Sequence, residues 1–374
     1  MDNERKNNVL SDVLVITLKS EIWITPEAIR RFPNIIYLTT DKRPKYGVKR
    51  KFIKTCKTFI KNYKPKIILL IYVDHIVPDF IKLKRSGKMG DVKIVFCSRK
   101  TYPLDGKNLV RNVSLKDAKY LEIIVYTSMD IYYSYSNSDL RKKLHFIPHS
   151  PVGIGDIDKS VDTKDVMWKL APCNFSFKHY SGTSNYIFSG GFAQRDYKSI
   201  VEAVRGLPVK LLIETSEKEL KNTLTGELPE NVFVNYKSRP GTVNGTIESL
   251  KDYLRKMAKS LFVVIPIRKI SDGIPYGLTT LVQAQYLGKA IVTNNNSGFD
   301  WYFTNNIEGI EIPYEDVQKY RESFIRILED DMLRKAFERN SREKGKLLSN
   351  SKVIDDYEKL CIDLLKQDIA NDKV

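Results

Sequence analysis

The chain has 374 residues, 42% of them hydrophobic and 29% charged, with a net charge of +17. That length suits two domains of ordinary size, and the composition excludes fibrous and disordered classes. The longest apolar run, Ile67–Val73, falls far short of the ~20 residues needed to span a bilayer, and no secretory h-region follows the polar start Met1–Asn8. The sequence therefore reads as cytoplasmic. Cys56, Cys97, Cys173 and Cys361 form no CxxC pair and the four histidines form no HExxH, so no protein metal site is indicated. Cys56 lies on an apolar stripe and Cys97 ends an apolar run, which reads as core thiols.

The charge is unevenly placed. Residues 1–150 hold 30 Lys/Arg against 14 Asp/Glu, whereas residues 151–374 hold 32 against 31. Lys42–Lys66 contains 11 basic residues and no acid. Such a field draws an anionic partner to the first half: phospholipid, nucleic acid or an acidic glycan.

In the first half, short β-branched or aromatic runs without polar alternation predict strands at Val13–Thr17, Ile35–Leu38, Lys66–Val73, Val92–Cys97, Glu122–Tyr126 and His145–Ile147. This is how strands buried on both faces of a parallel sheet read. Helices are predicted between them at Pro26–Arg31, Val48–Tyr63, Val77–Arg85 and Met129–Lys143. In Val48–Tyr63 the apolar residues Val48, Phe52, Ile53, Cys56, Phe59, Ile60 and Tyr63 follow the helical period, and Lys49, Arg50, Lys54, Lys57 and Lys61 fill the rest. That helix either covers a sheet with a solvated basic face or turns the face to anionic lipid or acceptor.

Prolines and glycines break the rhythm over 148–183, which marks a linker. The alternation then restarts. Strands are predicted at Asn185–Ser189, Val209–Ile213, Val232–Val234, Leu261–Ile265, Ala290–Thr293 and Ile310–Ile312, and helices at Arg195–Val204, Thr246–Lys259, Leu278–Leu287, Glu315–Leu328 and through Asp330–Gln367. Strand and helix in strict alternation argue for doubly wound α/β domains.

Two loops carry chemistry. Ser189-Gly190-Gly191-Phe192-Ala193-Gln194-Arg195 leaves a strand and enters a helix. Glycines there let backbone N–H groups approach a phosphate, and Arg195 is placed to pair with a diphosphate. Ser271-Asp272-Gly273-Ile274-Pro275-Tyr276-Gly277-Leu278-Thr279-Thr280 again opens a helix, where free N–H groups and hydroxyls suit a second phosphate contact. His75 stands at a strand end, and His149 in "FIPHSP" reads as shaping the linker.

Taken together, "YIFSGGFAQRDYKSIVEAV" and "LFVVIPI…DGIPYGLTTLVQAQYLGKAIVTNNNSGFDWYF" resemble the C-terminal half of GT-B glycosyltransferases of glycosyltransferase family 4. The resemblance covers 185–350 well, 64–98 faintly and the first 60 residues poorly. It implies two Rossmann-like doubly wound parallel-sheet domains facing a cleft: an acceptor domain over 1–150, a linker over 151–183, a nucleotide-sugar domain over 184–350 and a terminal helix over 351–374 that crosses back. It implies a hexosyltransferase taking a UDP- or GDP-sugar, retaining, with no tightly bound cofactor or metal. Gly190, Gly191 and Arg195 face the diphosphate from one side in this likeness, and Leu278, Thr279 and Thr280 from the other. Asp272 stands near the donor sugar where the family usually has Glu. Gln283 stands where a second Glu usually binds the ribose, and the two are set further apart here. The family often carries a His after the fourth strand; here the place reads Cys97-Ser98-Arg99, and His75 is the nearest substitute.

The expected activity is transfer of a sugar to a lipid-linked, polysaccharide or other glycan acceptor, with Lys42–Lys66 on an anionic acceptor or on the inner face of a membrane as a peripheral protein. Two alternatives stand beside it: a glycosyltransferase acting on nucleic acid, and a degenerate nucleotide-sugar-binding scaffold. No recognition helix or aromatic-studded basic sheet favours nucleic acid. The sequence leaves the oligomeric state open.

Overall fold

The computed structural model describes residues 10–18, 26–38, 46–97, 108–110, 113–127, 138–150, 185–224, 227–236, 247–269, 276–294, 296 and 298–371. The predicted linker 151–183 and Asp272 lie outside them. The chain divides into two compact units. One holds Met1–Pro148 and Asn350–Val374; the other holds His149–Ser271 and Pro275–Ser349.

In the N-terminal unit the strands are β1 (Val13–Leu18), β2 (Ile35–Leu38), β3 (Ile67–Ile71), β4 (Lys93–Cys97), β5 (Asn108–Val110), β6 (Val113–Ser114), β7 (Ile123–Tyr126) and β8 (Leu144–Phe146). Six of them form one parallel sheet in the order β2-β1-β3-β4-β7-β8. The helices are α1 (Pro26–Arg31), α2 (Tyr46–Tyr63), α3 (Val77–Arg85) and α4 (Ser138–Arg141). Alternate residues of the strands, Leu14, Ile16, Ile68, Leu70, Ile94 and Phe96, join Ile53, Cys56 and Ile60 of α2 and Phe80 and Ile81 of α3 in one core. Their neighbours Val13, Val15, Ile67, Leu69 and Val95 are buried too. Both faces of the sheet are therefore covered, which is why no polar alternation marks these strands.

The helix Asn350–Asn371 completes this unit. Val353, Ile354, Tyr357, Leu360, Cys361 and Leu364 bury its inner stripe. Arg31 of α1 pairs with both Asp355 and Glu358, and the Lys93 ammonium donates to Leu364 O at 2.8 Å. Tyr357 is hydrogen-bonded to Cys97, whose thiol burial pushes up to about 12.

The C-terminal unit has β9 (Tyr186–Gly190), β10 (Lys210–Thr215), β11 (Val232–Tyr236), β12 (Val263–Ile265), β13 (Ile291–Asn294) and β14 (Gly309–Ile312). They form a parallel sheet in the order β11-β10-β9-β12-β13-β14. Counted from β9, this is the 3-2-1-4-5-6 order of dinucleotide-binding folds. Its helices are α5 (Tyr197–Val204), α6 (Glu217–Thr223), α7 (Ile247–Lys259), α8 (Leu278–Tyr286), α9 (Val317–Glu329) and α10 (Asp331–Leu347). Ile200 and Val204 of α5 and Tyr320, Phe324 and Ile327 of α9 close one face over Ile187, Leu211, Val264 and Val292.

The two parallel α/β sheets are those the sequence predicts, with strand ends shifted by one or two residues. The pair β5–β6 is antiparallel, and it and α6 have no counterpart in the sequence reading. Of the predicted helix Met129–Lys143, only Ser138–Arg141 lies among the described helical residues. No described helix is long and apolar enough to cross a membrane.

Candidate functional site

In the C-terminal unit the strand order reverses between β9 and β12. Ligands of open α/β sheets bind outside the carboxyl ends of the strands at such a point. Two loops leave the sheet here and are stitched together. Arg195 bridges Ile267, Asp196 N–H donates to Pro266 O at 3.0 Å, and Arg268 N–H donates to Gln194 O at 3.1 Å. Ser189 Oγ donates to Val264 O at 2.9 Å across the same junction. Asn294, ending β13, accepts from Ile267 N–H at 2.7 Å and from the Tyr320 hydroxyl at 2.9 Å.

The Gly190-Gly191 pair serves a purpose the sequence does not announce. Gly191 N–H donates to Glu214 O at 3.0 Å, and Gly191 O accepts from Thr215 Oγ1 and the Tyr197 hydroxyl, each at 2.8 Å. Its N–H is thus spent inside the fold and is not offered to a phosphate. What the missing side chains supply is room. A Cβ on Gly190 would overlap the Tyr253 ring, and one on Gly191 would overlap the Arg195 guanidinium.

Arg195 is 4% exposed. The sequence pattern places it inside the following helix. Instead that helix starts at Tyr197 behind an Asp196 N-cap that accepts from Ser199 N–H, and Arg195 folds back beneath the loop. Its Nε donates to Gly190 O at 3.3 Å, Nη1 to Ala193 O at 2.9 Å and Nη2 to Thr280 Oγ1 at 3.3 Å. One N–H remains on each terminal nitrogen, since a guanidinium has five donors. Among the described residues no carboxylate lies within ion-pair distance of it. Glu219, 6% exposed, accepts from the backbone N–H of Arg195 at 2.7 Å and from Arg268 Nη2 at 3.1 Å, so one carboxylate ties both loops. Gln194, just before Arg195, takes a left-handed φ of 56°, a strained conformation of the kind that collects at functional sites.

Beside Arg195 the helix α8 begins. Its N-cap is Gly277, with no side-chain cap, and its first internal bond is Leu281 N–H to Gly277 O. The N–H groups of Leu278, Thr279 and Thr280 therefore have no intrahelical partner and carry the positive end of the helix dipole. Thr280 is buried and its hydroxyl also meets Tyr253, whose phenol burial pushes up to about 12. Thr279 is exposed, and its Oγ1 lies 3.0 Å from His149 Nε2. Gln283 is buried one turn on. Below the loop a buried ion pair, Lys256 to Glu214 at 2.6 Å, is extended by Asp252 at 2.9 Å and Asn235 at 2.8 Å. It fixes the end of β10 that holds Gly191.

The structure thus gathers Gly190, Gly191, Arg195, Leu278, Thr279 and Thr280 at one edge, with Gln283 close behind. His75 belongs to the other unit, half-buried in the turn between β3 and α3. It follows Tyr72, whose φ is 58° and whose N–H donates to Cys97 O. Tyr253, Glu219 and His149 are members of this site that sequence reasoning missed.

No protein-family model matches the chain, and no curated protein does. Solved structures do. A glycosyltransferase from Rickettsia africae aligns over 97% of this chain and 95% of its own, at 13% identity and a TM-score of 0.59. HepE of Anabaena, in complex with UDP and glucose, covers 93% and 98% at 10% identity and 0.57. Sucrose-phosphate synthase from Thermosynechococcus elongatus covers 99% and 93% at 14% identity and 0.57. The chain has the fold of the GT-B glycosyltransferases.

Gly277 has a φ of 89°, and a Cβ there would come within 2.8 Å of Ile267 Cδ1 and 2.9 Å of Ile265 Cγ2. Gly277→Ala should therefore cost ~2–4 kcal/mol in urea denaturation, from left-handed strain plus overpacking. Gly206 shares a left-handed φ of 69° but faces open space, so Gly206→Ala should cost only the ~1–2 kcal/mol of strain. Equal losses would refute close packing of the α8 N-terminus on β12.

Proposed function

We propose that this chain is a nucleotide-sugar-dependent glycosyltransferase, a hexosyltransferase whose UDP- or GDP-sugar diphosphate lies between Arg195 and the start of α8. The observation that carries the proposal is the buried Arg195 guanidinium, with no carboxylate within ion-pair distance among the described residues. An uncompensated buried charge is costly, and a diphosphate at a helix N-terminus supplies the compensation. HepE, which has the same fold, was solved with UDP and glucose. In this reading the N–H groups of Leu278, Thr279 and Thr280 and the two remaining Arg195 donors hold the phosphates, and no metal is needed. Gly190 and Gly191 act indirectly, by admitting Tyr253 and Arg195. Gln283 takes the ribose, and Asp272 and His75 are the catalytic residues beside the transferred sugar. Retention of anomeric configuration and a lipid-linked or polysaccharide acceptor complete the proposal.

Titration with UDP, GDP and their nucleosides tests it. Arg195→Ala should weaken binding of the cognate diphosphate ~10–100-fold, the worth of a charge-assisted contact, and leave the nucleoside unaffected. Unchanged affinity for UDP and GDP alike would remove Arg195 from the site. Asp272→Asn should lower kcat with little change in KM or in nucleotide affinity, because a contact made only in the transition state acts that way. A fully active Asp272→Asn enzyme would take Asp272 out of the mechanism.

The charge excess of the first half is assigned here to an anionic membrane surface, with the protein peripheral on its inner face. In α2, Ile53, Cys56 and Ile60 are buried, while Arg50, Lys51, Lys54, Lys57 and Lys61 are exposed. Lys49 does not belong with the exposed set, because it pairs with Asp79 at 2.8 Å. Replacing Arg50, Lys51, Lys54, Lys57 and Lys61 by Gln should abolish most binding to phosphatidylserine liposomes at fixed salt, since each cation near the surface is worth about 1 kcal/mol. Nucleotide binding should stand. Liposome binding that survives the change would leave α2 a solvated face, and loss of nucleic-acid binding in its place would favour the nucleic-acid alternative.

A further inference from the structure

His149 follows the last strand of the N-terminal unit in sequence but belongs to the C-terminal unit. It is 7% exposed. Two contacts fix it independently. Its backbone N–H donates to the hydroxyl of the fully buried Tyr302 at 2.8 Å, and its ring Nε2 lies 3.0 Å from Thr279 Oγ1. The imidazole is therefore set beside the first turn of α8 by the fold. Thr279 itself is exposed there, next to N–H groups that have no intrahelical partner.

A hydroxyl has one proton to give and two lone pairs to receive. If Nε2 carries the imidazole proton, it donates to Thr279 Oγ1, and the Thr279 proton is left for a group in front of the helix. If Nε2 is bare, it takes the Thr279 proton, and the hydroxyl turns lone pairs outward. An anion in front of α8 favours the first arrangement and is repelled by the second. Arg195 is a separate sign that an anion belongs there: it is 4% exposed, reaches Thr280 Oγ1, and has no carboxylate within ion-pair distance of its guanidinium among the described residues.

We propose that His149 is a positioning residue that, through Nε2–H, turns the Thr279 hydroxyl into a hydrogen-bond donor to the diphosphate of the sugar donor. The inference rests on the reading of this edge as a diphosphate site. His149 itself does not touch the phosphate. It acts through Thr279, and the loss of either member should have the same consequence. As the sugar–phosphate bond breaks, the departing phosphate gains negative charge, so the oriented hydroxyl helps more in the transition state than in the complex.

Calorimetric titration of UDP, GDP and their nucleosides into the wild type, His149→Phe, His149→Gln, Thr279→Val and the His149→Phe/Thr279→Val double variant tests this. His149→Phe should weaken the diphosphate ~3–10-fold, the worth of one hydrogen bond, with nucleoside affinity and melting temperature nearly unchanged. His149→Gln should restore most of the loss, because its amide N–H can reach the same oxygen. The double variant should be no worse than Thr279→Val alone, the mark of two groups acting as one. With a donor sugar, kcat should fall more than KM rises. Additive losses, or equal loss of nucleoside binding, would overturn the inference while leaving the diphosphate site intact. A wild-type protein that binds neither UDP nor GDP would overturn both.

Discussion

A guanidinium buried at the carboxyl edge of a parallel sheet, bonded among the described residues to neutral oxygens, is the constraint around which the C-terminal unit is arranged. Arg195 cannot reach its place unless Gly191 lacks a side chain. Its backbone cannot turn there unless Glu219 accepts its N–H and Gln194 adopts a left-handed conformation. Its Nη2 needs Thr280, whose hydroxyl also serves Tyr253. Tyr253 in turn needs Gly190 to be bare. The surrounding phenols of Tyr197, Tyr253 and Tyr320 are all pushed upward by burial, so they remain neutral hydroxyls and leave the positive charge in place. Changes at any one of these positions are coupled to the others, as in any shared polar network.

Much of this fold is legible in the sequence because its strands are buried on both faces. Runs such as Ile67–Ile71 and Val263–Ile265 advertise themselves by continuous apolar character, and α2 by its period. Helix α6 does not. Of Glu217–Thr223 the only side chain described as buried is Glu219, so no apolar stripe reveals it, although it holds both loops of the site. The glycine pair was legible as a special place, but its occupants were not. Tyr253 arrives from a helix far along the chain, and nothing near Gly190 encodes that meeting. Asp196 displaced the expected helix start because its carboxylate caps Ser199, and this moved Arg195 out of the helix and under the loop. His149 looked like a linker residue because its partners, Tyr302 and Thr279, are remote in sequence. In each case the missing information was a tertiary contact.

The two sheets reverse direction at different places. In the N-terminal unit the order β2-β1-β3-β4-β7-β8 puts the switch between β1 and β3, whereas the C-terminal unit switches between β9 and β12. Each sheet nonetheless carries a non-glycine residue with left-handed backbone at its carboxyl edge, Tyr72 after β3 and Gln194 after β9. Both are followed shortly by a residue of the proposed chemistry, His75 and Arg195. A conformation costing ~1–2 kcal/mol per residue persists where the surroundings over-determine it. The bonds of Tyr72 N–H to Cys97 O and of Arg268 N–H to Gln194 O provide that determination.

The helix Asn350–Asn371 packs within the N-terminal unit through Arg31, Lys93 and Cys97. That unit is therefore discontinuous: its sheet is encoded before residue 149 and its last layer after residue 349. The other unit is an uninterrupted insertion as far as its sheet and helices are concerned. On the ribosome, where domains generally fold as units in order of emergence, the N-terminal unit cannot be complete before the other unit has been synthesised. Its sheet emerges first, and the flank covered by Val353, Ile354, Tyr357, Leu360, Cys361 and Leu364 stays open until the helix Asn350–Asn371 is made. The later unit has every strand it needs well before then. The half of the molecule that carries nearly all the surplus positive charge thus gains its last layer only after every strand of the other unit, over 186–312, has been made.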